Sequence, residues 1–334
     1  MNPTILAIES SCDETSAAII KKGKVLNNII ATQSVHENYG GVVPELASRA
    51  HQMNIVPVVE EALKGSGVKK EELDAIAFTK GPGLLGALLV GSSFAKSLAQ
   101  GLGIPLIGVN HMQAHILAHF IDDPKPMFPF LCLTVSGGHT QIVLVKDYLD
   151  MEVVGETQDD AVGEAFDKSA KLLDLPYPGG PLIDKYAKNG NPQAFDFPDS
   201  DVAELDFSFS GIKTSFLYFL RDRLKEDEDF VKKNMNDICA SLQRCLINML
   251  TKRLIRASDK FNIKEVTIAG GVSANSGLRK RLDELANEHH WNVYIPDFEY
   301  CTDNAGMIAM AAHYKYLAGE FEPLTTSPDP RMKF

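Results

Sequence analysis

The chain has 334 residues, 45% of them hydrophobic and 23% charged. These proportions exclude a fibrous repeat or long disorder and leave room for about two domains, each able to bury a core. Lys and Arg total 33 against 44 Asp and Glu, a net charge of −11, so a nucleic-acid partner would have to meet a local basic patch.

No basic segment precedes the first apolar stretch, which is interrupted by Glu9 and Asp13, so a secretory signal is not expected. The most apolar run, Leu84 to Val90, is far short of a membrane span. The five cysteines (Cys12, Cys132, Cys239, Cys245 and Cys301) contain no C-x-x-C pair and read as reduced thiols of a cytoplasmic protein.

In chain order, the first elements are two short apolar strands, Ile5–Ile8 and Ala17–Ile20, separated by the polar turn Ser10-Ser11-Cys12-Asp13-Glu14-Thr15. Helical patterns follow at Ile55–Leu63, Ile238–Leu254 and Ala305–Leu317, a mixture that predicts α/β layers. His111-Met112-Gln113-Ala114-His115 sets two imidazoles at i and i+4, one face of a helix for which Asn110 is a suitable cap. Such a pair can fill two positions of a metal ion or lie on a solvated face. A zinc protease of the H-E-x-x-H type would need Glu where Met112 stands.

The opening unit recurs. Shifting Leu6–Gln33 by 125 residues superposes Leu6 on Leu131, Ser11 on Ser136, Thr15 on Thr140, Lys21 on Lys146, Thr32 on Thr157 and Gln33 on Gln158 without a gap. A strand–turn–strand unit that opens each of two α/β lobes can present paired turns to phosphate, the second being Ser136-Gly137-Gly138-His139-Thr140. Beyond it lie Asp167 and Lys168, then the turn Tyr177-Pro178-Gly179-Gly180-Pro181 with Asp184, whose acids suit ribose hydroxyls or solvent alike. Basic clusters occur at Arg244, Lys252, Arg253 and Arg256 and at Arg279-Lys280-Arg281, as solvated helix faces or the patch an RNA would need.

A third glycine-rich element, Gly270-Gly271-Val272-Ser273-Ala274-Asn275, links the strand pattern Glu265–Ala269 to a helix start, a place where α/β folds hold anions or simply turn tightly. It is neither a dinucleotide fingerprint nor a P-loop. Asp303 stands at the start of the last helical pattern, either as a third metal ligand or as that helix's cap.

Taken in order, Ile8 to Thr15, Gly81-Pro82-Gly83, Asn110 to His115, Val135 to Thr140, Gly270 to Asn275 and Thr302-Asp303-Asn304 closely resemble the bacterial tRNA threonylcarbamoyltransferase family over nearly the whole chain. The resemblance implies an actin-like ATPase (ASKHA) fold with two duplicated ribonuclease-H-like lobes around a central cleft. On that basis the N-terminal lobe is expected over 1–110, completed by a C-terminal helix at about 303–325, the second lobe over 111–302 and a tail over 326–334.

It also implies transfer of the threonylcarbamoyl group of threonylcarbamoyladenylate to the exocyclic amine of adenosine 37, in tRNAs that read codons beginning with A, with release of AMP. His111, His115 and Asp303 resemble the ligands of one divalent ion, iron or zinc. Thr134, Val135, Ser136, Gly137, Gly138, Asp167, Gly180, Asp184 and Asn275 resemble the pocket for the adenylate or an ATP/ADP-type nucleotide. The attacking amine must lose a proton, and His139 or Asp13 is placed in a motif that could take it. The archaeal and eukaryotic branch carries tyrosine at the position of Thr134 and Ala-Asn at Gly138-His139, which leaves the fourth metal ligand open.

The partners implied are tRNA, a catalytically silent paralogous subunit, a P-loop ATPase subunit and an upstream threonylcarbamoyladenylate synthase, with no membrane. The isolated chain is expected to be weak or inactive. The alternatives are a non-catalytic nucleotide-binding scaffold, a metalloendopeptidase and a small-molecule kinase on the same fold.

Overall fold

The computed structural model describes residues 2–33, 36, 39–199, 202 and 204–334. They form two compact units, one of residues 1–125, 147–151 and 296–334, the other of 126–146 and 152–295.

The first unit is built on a five-stranded sheet of β1 (Thr4–Glu9), β2 (Glu14–Lys21), β3 (Lys24–Thr32), β4 (Ala75–Gly81) and β5 (Leu106–Asn110). The strand order is β3-β2-β1-β4-β5, antiparallel over the first three strands and parallel thereafter. β1 is buried along its length, so its short apolar sequence is covered on both faces. Leu6, Ile8, Ala17 and Ile19 pack with Ile55, Val59 and Ala62 of α1 (Pro44–Ser66) and Ala95 and Ala99 of α2 (Leu85–Leu102). The alternate residues Ile5, Ala7, Ala18 and Ile20 are equally buried. Helix α10 (Ala305–Ala318) packs on β1 and β2 and also against α3 (His111–Leu117), which follows β5 directly. A four-residue helix, α9 (Phe298–Cys301), precedes α10.

The second unit repeats this plan with β6 (Phe130–Val135), β7 (Thr140–Asp147), β8 (Asp150–Glu156), β9 (Glu265–Ala269) and β10 (Asn292–Tyr294), in the order β10-β9-β6-β7-β8. Leu6 pairs with Ile19 in one sheet and Leu131 with Leu144 in the other, each residue moved by 125. The duplication read in the sequence is therefore a duplication of strand register. Helices α4 (Val162–Leu172), α5 (Gly180–Ala187), α6 (Ser210–Glu226), α7 (Phe230–Phe261) and α8 (Ser276–His289) belong to this unit. Its core joins Leu131, Leu133 and Val135 to Phe166, Phe207, Phe216, Leu246 and Leu250.

The compact units do not divide at 110/111. Residues 111–125 belong with the first unit, because the apolar side of α3 is buried and α10 packs against it. The helix completing the first sheet is α10, at Ala305–Ala318.

Candidate functional site

In the first unit, chain direction and capping place three metal-type donors together. β5 runs straight into α3, and the Asn110 side-chain oxygen accepts from Met112 N at 2.9 Å and Gln113 N at 3.2 Å, the expected cap. The Asn110 amide also donates to Lys333 O at 2.9 Å, which ties the chain's last residues to the start of this helix. On α3 the His111 and His115 rings stand edge to face, 4.7 Å apart. Asp303 is not the cap of α10, since Asn304 takes that place by accepting from Met307 N at 2.9 Å. Asp303 is free to turn inward, and its Oδ1 lies 3.2 Å from Nε2 of both His111 and His115.

The donor atoms of these three residues all lie within 4.8 Å of one another. Around an ion with bonds of about 2.0–2.1 Å, neighbouring ligand atoms stand about 3.0–3.4 Å apart, and both Asp303 contacts fall in that range. Two imidazoles and one carboxylate suit Fe2+ or Zn2+. Burial opposes the Asp303 charge, but His111 and His115 outweigh it and hold its carboxyl far below the usual range. Burial also opposes charge on His111, yet Asp303 and Glu9 raise it well above an ordinary histidine, whereas burial prevails at His115 and lowers it.

Sequence reasoning missed the groups behind these donors. Glu9, wholly buried at the end of β1, accepts from Ser11 N and from the Thr79 hydroxyl, both at 2.5 Å, and lies 3.1 Å from His111 Nδ1. His51 of α1 spans the turn, with Nε2 3.0 Å from Cys12 O and Nδ1 2.8 Å from the Thr15 hydroxyl. A carbonyl only accepts, so Nε2 carries the hydrogen and the ring is neutral, in keeping with the lowering that burial produces. Gly83 seats the turn from below, because a Cβ there would come within 2.6 Å of Ser11 O. A buried Glu at a strand end and a lone His in an amphipathic helix carry no local sequence signature.

Asp13 and Glu14 lie on the same turn, half-buried and hydrogen-bonded to each other. Burial, Asp303 and Asp13 push Glu14 up to about 9. Burial, Asp13 and Asp303 push the Cys12 thiol higher still, which keeps it protonated.

The second unit gathers the glycine turns. Ser136 Oγ accepts from His139 N at 3.0 Å and Ser136 N donates to His139 O at 2.8 Å, closing the turn on itself. Gly137 and Gly138 are exposed at its tip and His139 is half-buried, while Thr134 and Val135 are fully buried in β6. Gly163 and Gly270 flank this turn, and a Cβ on either would lie 2.5 Å from a carbonyl oxygen, of Ser136 and Val135 respectively. Gly270 also has φ +88°, a region that disfavours side chains.

Asp167 Oδ1 accepts from Gly179 N at 2.8 Å and Gly180 N at 3.1 Å, so it shapes the Tyr177–Pro181 turn. Asp184 accepts from the Ser276 hydroxyl at 2.7 Å. Asn275 caps α8 through Leu278 N and donates to Gln243 Oε1 at 2.8 Å. The expected pocket residues thus form one connected set of turns within a unit, several of them occupied in holding one another.

Of the basic clusters, Arg253 turns inward. It is 1% exposed and bound to Asp206 O, Met249 O and Asp199, so it is no part of a surface patch. Arg244, Lys252, Arg256 and Arg281 line a groove of about 550 Å³ together with Asp196 and Asp199.

A sequence model of the family described as tRNA N6-adenosine threonylcarbamoyltransferase matches residues 24–310. A protein of that name from Cytophaga hutchinsonii is 62% identical over 333 residues, covering 100% of this chain and 97% of its own. Its namesakes from Christiangramia forsetii and Porphyromonas gingivalis are 60% and 58% identical, the first covering 99% of this chain and 98% of its own, the second 98% of each. Among solved structures, component A of Acidaminococcus fermentans (R)-2-hydroxyglutaryl-CoA dehydratase superposes with a TM-score of 0.53 at 14% identity, over 94% of this chain and 99% of that one. Full-length HypF superposes with a TM-score of 0.65 at 15% identity, over 96% of this chain and 47% of that one. At these identities the likeness is one of fold, the actin-like ATPase fold.

Proposed function

This chain belongs to the tRNA N6-adenosine threonylcarbamoyltransferase family, and from that premise we propose that His111, His115 and Asp303 hold the divalent ion on which its acyl transfer depends. The enzyme is an acyltransferase that forms threonylcarbamoyladenosine in tRNA; the scaffold, peptidase and kinase readings are not favoured. The observation that carries the metal assignment is the shared oxygen of half-buried Asp303, 3.2 Å from the Nε2 atoms of two buried imidazoles.

The donor in this reading is threonylcarbamoyladenylate and the acceptor the exocyclic amine of adenosine 37. A bound divalent ion supplies a Lewis acid for the anionic donor. The chain's own groups do the rest. The exposed tip of the second turn at Gly137–Gly138 lets its backbone approach a phosphate closely, while Asp167, Asp184 and the Asn275 cap hold the surrounding loops. Asp13 and His139 remain the candidates for taking the amine proton, each on the turn of its own unit.

The basic groove of Arg244, Lys252, Arg256 and Arg281 supports contact with the tRNA backbone. Met53 and Val56 of α1 and Leu85 and Leu89 of α2 are exposed on helices that pack together, which supports docking of a protein subunit such as the silent paralogue. No helix among the described residues is long and apolar enough to cross a membrane, and the five cysteines are free thiols, consistent with action in the cytoplasm.

The test is incorporation of labelled threonine into unmodified tRNA with bicarbonate, ATP, the synthase and the partner subunits. His111→Ala is expected to abolish incorporation seen with wild type. Incorporation at the wild-type level by that variant would remove the metal from the reaction.

A further inference from the structure

We propose that Glu9 is the positioning residue of the metal centre, fixing His111 with hydrogen on Nδ1 so that its Nε2 lone pair is presented beside Asp303. The inference rests on the assignment of His111, His115 and Asp303 as ligands. Glu9 is 0% exposed, and a buried carboxylate needs every partner it can find. Two neutral donors hold it: the Ser11 amide on Oε1 and the Thr79 hydroxyl on Oε2. They come from the turn after β1 and from the neighbouring parallel strand β4, where Ile8 pairs with Phe78, so a turn amide and a side chain of the adjacent strand fix the carboxylate.

The remaining contact is His111 Nδ1, 3.1 Å from Oε2. A carboxylate can only accept, so Nδ1 holds a hydrogen toward Glu9, with the Ser11 hydroxyl 3.3 Å away; a cation beside Asp303 can displace only the hydrogen on Nε2, which leaves the ring neutral with its lone pair on that atom. Carboxylates behind metal-binding imidazoles commonly orient ligands in this way.

Two comparisons within the molecule separate this role from plain packing. His115 shares the Asp303 oxygen, but its Nδ1 is buried with no hydrogen-bond partner, so nothing of the kind presets its ring. In the duplicated unit the residue 125 positions after Glu9 is Thr134, whose hydroxyl merely bonds Gln141 O at 3.3 Å. The fold is built in the same register without a carboxylate at that position. Charge also balances: Glu9 and Asp303 together carry −2, the complement of a dication held by two neutral imidazoles.

The experiment uses the full chain, stripped of metal and titrated with zinc against a chromophoric chelator. Glu9→Gln leaves one oxygen where Ser11, Thr79 and His111 bring three donors, so its zinc affinity is expected to fall about 10- to 100-fold, while the metal-free variant melts within a few degrees of wild type. Independently, the long-range proton–nitrogen spectrum of zinc-loaded wild type should show His111 protonated at Nδ1 and metal-bound at Nε2, its signals identified by their loss in His111→Asn. That spectrum decides the matter even if Glu9→Gln does not fold. Wild-type zinc affinity in Glu9→Gln, or His111 bound through Nδ1, overturns the role of Glu9 alone. A wild-type chain that takes up no zinc overturns the ligand assignment and this inference with it.

Discussion

The turns after β1 and after β6 occupy equivalent places in two sheets of the same strand order and register, yet their chemistry has diverged completely. Offset by 125, Glu9, Asp13 and Glu14 correspond to Thr134, Gly138 and His139. One turn is a half-buried acidic ridge beside two imidazoles; the other is a neutral loop with two exposed glycines at its tip. What the copies retain is the scaffold: Ser11 and Ser136 both use their amides to close the turn, and Thr15 and Thr140 both tie it to the helix after the third strand. The comparison teaches that the duplicated backbone sets where a turn lies, while a few side chains decide whether it suits a cation or an anion.

The largest effect that would break this division of labour is expected at Gly163. Its Cβ in Gly163→Ala would press against Ser136 O at 2.5 Å, so either the turn or the start of α4 must move. A backbone displacement of that kind costs about 1–3 kcal/mol. Threonine transfer should fall sharply while zinc affinity, set in the other unit, stays at the wild-type level. Loss of zinc binding in this variant would show that the two turns are not separable in function.

A smaller effect is expected at Glu14, the counterpart of His139. Burial, Asp303 and Asp13 hold its carboxyl near 9 rather than the ordinary 4.5. A carboxyl raised on folding loses stability as pH climbs, because the unfolded chain ionises above about 4.5 while the folded one keeps its proton to about 9. Metal-free Glu14→Gln should therefore melt a few degrees above wild type at pH 8 and show little difference at pH 4.5. An equal melting temperature at both pH values would mean that the acidic ridge is relieved by solvent.

How much of this was legible in the sequence follows the same line. The repeat, both turns, the His111–His115 face, the Asn110 cap and the helix after Gly270–Asn275 were readable because each is a local pattern. The identity of the cap on α10 was not, since Asp303 and Asn304 both suit it; only the bond from Met307 N shows that Asn304 takes it and frees Asp303. Glu9, Thr79 and His51 were silent, because their roles depend on contacts 36 to 102 residues away in sequence. Arg253 was misplaced among surface cations because helical spacing cannot distinguish an exposed arginine from one that bonds buried carbonyls.

The smallest effect sharpens the comparison at its most conserved point, the threonine tie. Thr140 accepts from a backbone amide, Val162 N at 2.9 Å, which does not titrate, whereas Thr15 donates to His51, which does. Burial keeps His51 below the ordinary histidine value of 6.5. As pH falls through about 6.5 the unfolded chain takes up a proton that folded His51 refuses, so stability is lost below that point and unaffected well above it. His115 and His313 are lowered in the same direction, so the informative quantity is the difference between wild type and His51→Gln, whose amide can still donate to Cys12 O and accept from Thr15. Urea unfolding at pH 7.5 and 5.5 should show wild type losing more stability than the variant on acidification. Identical losses would place the acid sensitivity of the first unit elsewhere and leave both threonine ties equally indifferent to pH.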